Sequence, residues 1–225
     1  MTMPGDAAPI SSIVLMGDPR VTAIPVSDNG EELADVRAHG LRVSSFRADD
    51  AGDFAYVRTG LATRLVQAAG ALPPGAHLLI IEGYRPPALQ RRYFDDYLRS
   101  LRATTPDRDE ERLRMLTSRY VSPPEIAPHS AGAAIDLTLC ADDGTELDLG
   151  TAVNANPEQS AGACYTHHPS VGGEARRNRA ALTGALRAAG FVNYPTEWWH
   201  WSYGDRYWAM ATGAPSAIYG AINRR

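Results

Sequence analysis

Lysine does not occur among the 225 residues, and all 22 basic side chains are arginine. A phosphate-cradling loop ending in Gly-Lys, a Schiff-base lysine and a Ser-Lys dyad are therefore excluded. Cysteine is nearly absent as well. Cys140 and Cys164 stand far apart with no CxxC pair, which argues against a disulfide framework and against a cysteine-built zinc site, so both are read as reduced thiols. Long apolar runs are missing, since nothing approaches the roughly 18 residues of a membrane span. The opening MTMPGDAAPI has neither a basic n-region nor an apolar core. The expectation is a soluble, cytoplasmic protein with no membrane partner. A formal charge of −4 leaves no footprint for nucleic acid, and the arginine pairs at 91–92, 176–177 and 224–225 read as solvated helix faces and a tail. Nothing in the sequence sets an oligomeric state.

What is present reads as one α+β domain over 1–225, with an irregular N-terminal extension over the first 50 residues. That extension carries short β-like runs, SSIVLM, VTAIPV and LRVSSF, between turn-rich pieces. Phe54, Val57, Leu61, Leu65 and Val66 recur at helical spacing, which predicts a core-facing helix from Asp53 to Ala69. HLLIIE, His77 to Glu82, reads as a buried strand, and the Gly and double Pro after it hold Arg85 on a turn. Two helices are expected between Pro87 and Arg119, broken around TTPDRDE. A strand follows over Ala133–Leu139, then an amphipathic helix ending at Gly190, then a strand pair interrupted at Pro195.

Two local patterns carry chemistry. His129 and Asp136 lie in PHSAGAAID, where small residues allow a tight turn; Glu197 and His200 lie in TEWWHW. Two imidazoles and one carboxylate suit a catalytic zinc ion, one per chain, with Glu197 outside the ligand set and placed to take a proton from water. Blander readings stand beside this one. A histidine next to proline often sits in a loop, and an aromatic run often fills a core. Asp136 is harder to dismiss, because a carboxylate between AAI and LTL on a buried strand needs a cation.

EGYRPP, HSAGAAIDLTL, ARRNRAALTGALRAAGF and EWWHW, in this order from about Asp53 to Tyr203, resemble the D-alanyl-D-alanine dipeptidases of the vancomycin-resistance (VanX) type. The resemblance implies the zinc D,D-peptidase fold, shared with D,D-carboxypeptidases and the hedgehog signalling domain, in which a small antiparallel sheet is flanked by helices. It implies His129, Asp136 and His200 as zinc ligands, Glu197 as base and Arg85 as the cation facing the oxyanion. A structural ion pair of Arg85 with Glu82 or Asp136 is the alternative. It also points to Asn154, Ser130, Tyr84 and Trp199 as contacts for a small peptide substrate. Two departures are visible. Ala127 stands where the family has a substrate-binding serine, and Asn154 stands where it has the aspartate that anchors the dipeptide's ammonium. The stretch 154–173 reads as a candidate lid.

Overall fold

In the computed structural model, which describes residues 13–105 and 107–224, the strands are β1 (Leu33–Asp35), β2 (Arg42–Val43), β3 (Tyr56–Arg58), β4 (His77–Glu82), β5 (Ala134–Cys140), β6 (Val192–Asn193) and β7 (His200–Ser202). The helices are α1 (Pro19–Thr22), α2 (Thr59–Gly70), α3 (Pro87–Thr104), α4 (Glu110–Thr117), α5 (Gly173–Ala188) and α6 (Arg206–Thr212). The main sheet has the order β2-β4-β5-β7-β6, antiparallel except for the parallel β2–β4 edge. β5 lies at its centre. All seven of its residues are buried, which explains why AIDLTLC is apolar on both faces apart from Asp136 and Thr138.

α2 contributes Leu61, Ala62, Leu65 and Ala68, and α5 Leu182, Ala185 and Leu186, to one apolar cluster with buried apolar residues of this sheet. Fully burying such a leucine contributes about 1.5–3 kcal/mol. The resulting apolar cluster draws residues from Val36 to Tyr219, with the tryptophans of TEWWHW inside it.

Two expectations are corrected. The helix predicted from Asp53 starts at Thr59, because Asp53–Ala55 is a single 3-10 turn and Tyr56–Arg58 pairs antiparallel with Leu33–Asp35. Phe54 and Val57 are core residues of a turn and a strand, and Val66, expected in the core, is 43% exposed. The stretch 154–173, read as a candidate lid, is tied to the body at its middle: Arg179 of α5 donates to the carbonyls of Ala163 and Tyr165 at 2.9 and 2.8 Å, and Cys164 is fully buried. The N-terminal runs are partly structured. Arg42–Val43 forms the sheet edge, Val26 bridges to Ala217, and Val21–Thr22 closes the short α1; Ser11 and Ser12 lie outside the described residues.

Candidate metal centre

Register places the first two groups. Asp136 of β5 stands directly opposite His200 of β7, and directly opposed residues of an antiparallel pair present their side chains on one face. His200 Nδ1 lies 2.9 Å from Asp136 Oδ1. The third group comes from the turn that feeds β5. His129–Ala131 forms one 3-10 turn, and Gly132 ends it at φ 62, where a Cβ would run into the Leu33 side chain. That glycine is required both by its left-handed backbone and by the close approach of β1.

His129 Nε2 lies 3.2 Å from His200 Nδ1 and 3.4 Å from Asp136 Oδ1. Its other nitrogen, Nδ1, is 2.7 Å from the Gly83 carbonyl, which can only accept, so Nδ1 carries the proton and Nε2 presents a lone pair. Gly83 is pressed against the chain at 54–56: its N–H donates to Phe54 O at 2.6 Å, and a Cβ there would strike the Tyr56 carbonyl. Close backbone packing thus delivers the carbonyl that fixes the His129 tautomer.

The three atoms fit zinc. Tetrahedral ligands at about 2.0–2.1 Å from an ion sit about 3.3 Å apart, close to the spacings found here. All three residues are buried, and His129, Asp136 and His200 are the only described His/Cys/Asp/Glu group that converges in this way. The chemistry of the donor set agrees. Two imidazole nitrogens facing each other across a carboxylate need a cation between them. The His200 ring faces the other two groups with Nδ1, and its Nε2 is buried without a polar partner among the described residues.

Glu197 borders this point, with Oε2 3.8 Å from His200 Nδ1. Burial, then the nearby Asp136 carboxylate, push its pKa well above the usual range, with Arg85 opposing. For Asp136 burial acts in the same upward direction, yet His129 and His200 outweigh it and hold the carboxyl ionised. Burial also lowers His200, against the pull of Asp136, which keeps the ring neutral and able to ligate. The turn bearing Glu197 and His200 is strapped by Asn193, whose Nδ2 donates to Glu197 O at 2.9 Å and His200 O at 3.0 Å. The indoles around the motif are structural. Trp198 Nε1 donates to Thr151 Oγ1 at 2.8 Å and Trp201 Nε1 to Trp198 O at 3.0 Å, while Trp199 is fully buried in the core.

A cavity of about 340 Å³ opens onto these groups. Arg85 lines it, held by both oxygens of Glu82 at 2.6 and 2.7 Å and by Gln90 Oε1 at 2.8 Å. Burial would lower the guanidinium's pKa, but Glu82 more than offsets it, so the cation is fixed in charge and direction. Arg85 is thus ion-paired with Glu82, as the alternative reading had it, and also lines the cavity. Asn154 also lines the cavity, at a positive φ of 64, with its carbonyl accepting from Tyr120 Oη at 2.7 Å.

Three residues expected to contact substrate lie outside the cavity lining. The Ser130 hydroxyl donates to Arg85 O at 3.0 Å, Tyr84 Oη donates to Ile222 O at 2.8 Å, and Trp199 is enclosed in the core. Residues that the sequence reading passed over line it instead: Arg47, Tyr93, Tyr97 and Tyr120. Asn193 and Gln90, which hold the motif turn and Arg85, were passed over as well. The tyrosines of RRYFDDY carried a helical-face signal, whereas nothing local marked Arg47.

Residues 55–214 match the family model described as D-ala-D-ala dipeptidase, peptidase M15. The chain belongs to this family. It is 32% identical over 216 residues to a D-alanyl-D-alanine dipeptidase of Synechocystis, covering 83% of this chain and 87% of that one. It is 43% identical over 72 residues to one of Escherichia coli K12, covering 32% and 35% of the two chains. Among solved structures it is similar to a zinc-bound VanY D,D-pentapeptidase from a VanB-type resistance cassette, at TM-score 0.45 and 15% identity, covering 86% of this chain and 90% of that one. That superposition is loose, and membership rests on the sequence matches.

Proposed function

We propose that this protein is a zinc-dependent dipeptidase that hydrolyses D-alanyl-D-alanine or a similar short D-residue-containing peptide, with zinc held by His129, Asp136 and His200. The observation that carries the reading is the convergence of His129 Nε2, Asp136 Oδ1 and His200 Nδ1 within 3.4 Å, with Glu197 Oε2 3.8 Å from His200 Nδ1. Membership of the dipeptidase family supports it. The small cavity supports a short substrate, since about 340 Å³ is near the lower end for ligand sites.

When bound, zinc supplies Lewis acidity and makes water acidic enough to attack near neutral pH. The remaining work falls to the chain. Glu197 accepts the proton of the attacking water and returns it to the leaving amine; its raised pKa supports both halves of that task. Arg85, held by Glu82 and Gln90 with N–H groups to spare, donates to the oxygen on which negative charge develops. His129 stays oriented by the Gly83 carbonyl. The Asn193 strap keeps Glu197 and His200 at fixed spacing.

A second reading, a peptide with a blocked amine, is favoured by Asn154, because a neutral amide lines the cavity and gives no counter-charge to an ammonium. A panel of D- and L-dipeptides with free and acetylated amines separates the two. Cleavage of D-Ala-D-Ala in preference to its acetylated form supports the first reading, and the opposite order supports the second. Cleavage of nothing in the panel by zinc-loaded protein removes both. No described helix is long and apolar enough to cross a membrane, and the cytoplasmic placement proposed from the sequence is checked by cell fractionation.

A further inference from the structure

Among the charged groups around the cavity, one cation has no close carboxylate partner of its own. The charged side chains lining it are Arg47, Arg85, Asp96, Asp136 and Glu197. Asp136 is committed to two imidazoles, at 2.9 and 3.4 Å. Arg85 is neutralised by the bidentate pair with Glu82. Asp96 sits at the outer rim, its side chain 56% exposed and 3.1 Å from Arg99. Arg47 is different. Its nearest carboxylate oxygen in the described structure is Glu82 Oε2 at 3.9 Å, and both Glu82 oxygens already accept from Arg85.

Beyond Glu82 and the Arg85 guanidinium that shares it, the groups touching Arg47 are neutral. Nη1 donates to Tyr93 Oη at 3.4 Å, and the guanidinium lies 5.4 and 5.6 Å from the ring centres of Phe46 and Tyr93. With the Asn154 amide oxygen turned toward it, Nε and Nη2 reach that oxygen at 3.3 and 3.2 Å. The side chain is only 30% exposed, so water compensates it in part. Its position is not accidental to the fold. Ser44 N–H donates to Ile80 O of β4 at 2.8 Å on one side of the loop, and on the other Asp49 accepts from the N–H groups of Asp53 and Phe54 at 3.1 Å each. Arg47 is thus held over the cavity by a loop tied down at both ends.

We infer that Arg47 docks the free terminal carboxylate of the peptide substrate and makes that carboxylate a condition of tight binding. This rests on the dipeptidase reading and names what the same cavity selects. A guanidinium edge meets a carboxylate with two parallel, charge-assisted bonds, shorter than the long contacts that edge now makes to a neutral amide. Asn154, which offers no counter-charge to an ammonium, leaves this end of the cavity to an anion. A carboxylate at that position would cancel Arg47 and repel the substrate's own, whereas an amide leaves the charge open and can turn its NH₂ toward the incoming oxygen.

The test uses zinc-loaded full-length protein carrying Glu197→Gln, so that ligands bind without turnover. Calorimetry compares D-Ala-D-Ala with D-alanyl-D-alaninamide, and wild-type steady-state kinetics run beside it. The amide is expected to bind about 10–100-fold more weakly than the acid, the range of a charged hydrogen-bonded pair. Adding Arg47→Gln is expected to weaken the acid by a similar factor while leaving the amide within about twofold, and Arg47→Lys to recover part of the loss. Equal weakening of acid and amide, or of neither, in variants whose melting temperature is unchanged overturns the assignment. Acid binding that depends on Arg47 in a protein that hydrolyses no dipeptide supports the docking site and removes the dipeptidase reading. Hydrolysis of D-Ala-D-Ala that Arg47→Gln leaves untouched does the reverse.

Discussion

The two walls of the cavity are built on different principles. The metal-facing wall is strand and tight turn. Asp136 and His200 are register partners, His129 is fixed by the Gly83 carbonyl, and each of the three is about 95% buried. The opposite wall comes from a loop, a helix face and a single position at positive φ: Arg47, the tyrosines of α3, and Asn154 at φ 64. The ligand atoms of the first wall converge on one point, while on the second the Arg47 guanidinium makes only long contacts. Chemistry needs groups held to a fraction of an ångström, which paired strands supply. Selection needs groups that can trade a weak contact for a better one, which loops supply.

The sharpest way to break this contrast is Glu197→Gln. Turnover of D-Ala-D-Ala is expected to fall by about 10²–10⁴, the usual worth of a positioned base, with zinc content unchanged; metal loss along with activity would put Glu197 among the ligands. The same substitution has a stability consequence whose sign follows from the raised pKa. The folded state resists ionising Glu197 and the unfolded chain does not, so stability present at low pH is lost as pH rises past the ordinary glutamate range. In chelated protein the Gln variant should melt above wild type, by a margin that widens with pH. A constant or shrinking margin contradicts the assigned direction.

Next in size is Glu82→Gln, which strikes the residue joining the two walls. It leaves the buried Arg85 without its counter-charge and is expected to destabilise the protein by about 3–5 kcal/mol, a melting shift of roughly 6–20 °C. A shift below 2 °C would show that Arg85 is compensated elsewhere. The smallest effect is expected from Ser130→Ala. It removes one hydroxyl bond to the Arg85 carbonyl, worth about 1 kcal/mol, and should lower the melting temperature slightly while leaving KM alone. A change in KM with unaltered stability would return Ser130 to the substrate.

The metal wall was legible in the sequence because its signals are local. HSAGAAID and EWWH each bring two groups within a few residues, and only their mutual approach needed the fold. The extent of α2 was misread because Phe54 and Val57 satisfy a helical period while tertiary pairing of Tyr56–Arg58 with Leu33–Asp35 decides the backbone. Arg47, Gln90 and Asn193 were silent for a different reason. Arg47 reaches Glu82 and Tyr93 from far along the chain, Asn193 acts through backbone carbonyls, and Gln90 meets Arg85 only because the turn between them brings the two side chains together; none of these leaves a spacing pattern. Ser130, Tyr84 and Trp199 show the converse: adjacency to a motif in the chain placed them near the site, yet their side chains serve the framework behind it.

The measurement closest to the central claim is metal content set against hydrolysis. Purified protein should hold about one zinc per chain, lose it together with D-Ala-D-Ala hydrolysis on chelation and regain both on zinc addition, and Asp136→Ala should hold none. Hydrolysis that survives complete removal of the metal, or stoichiometric zinc retained by Asp136→Ala, would contradict the account.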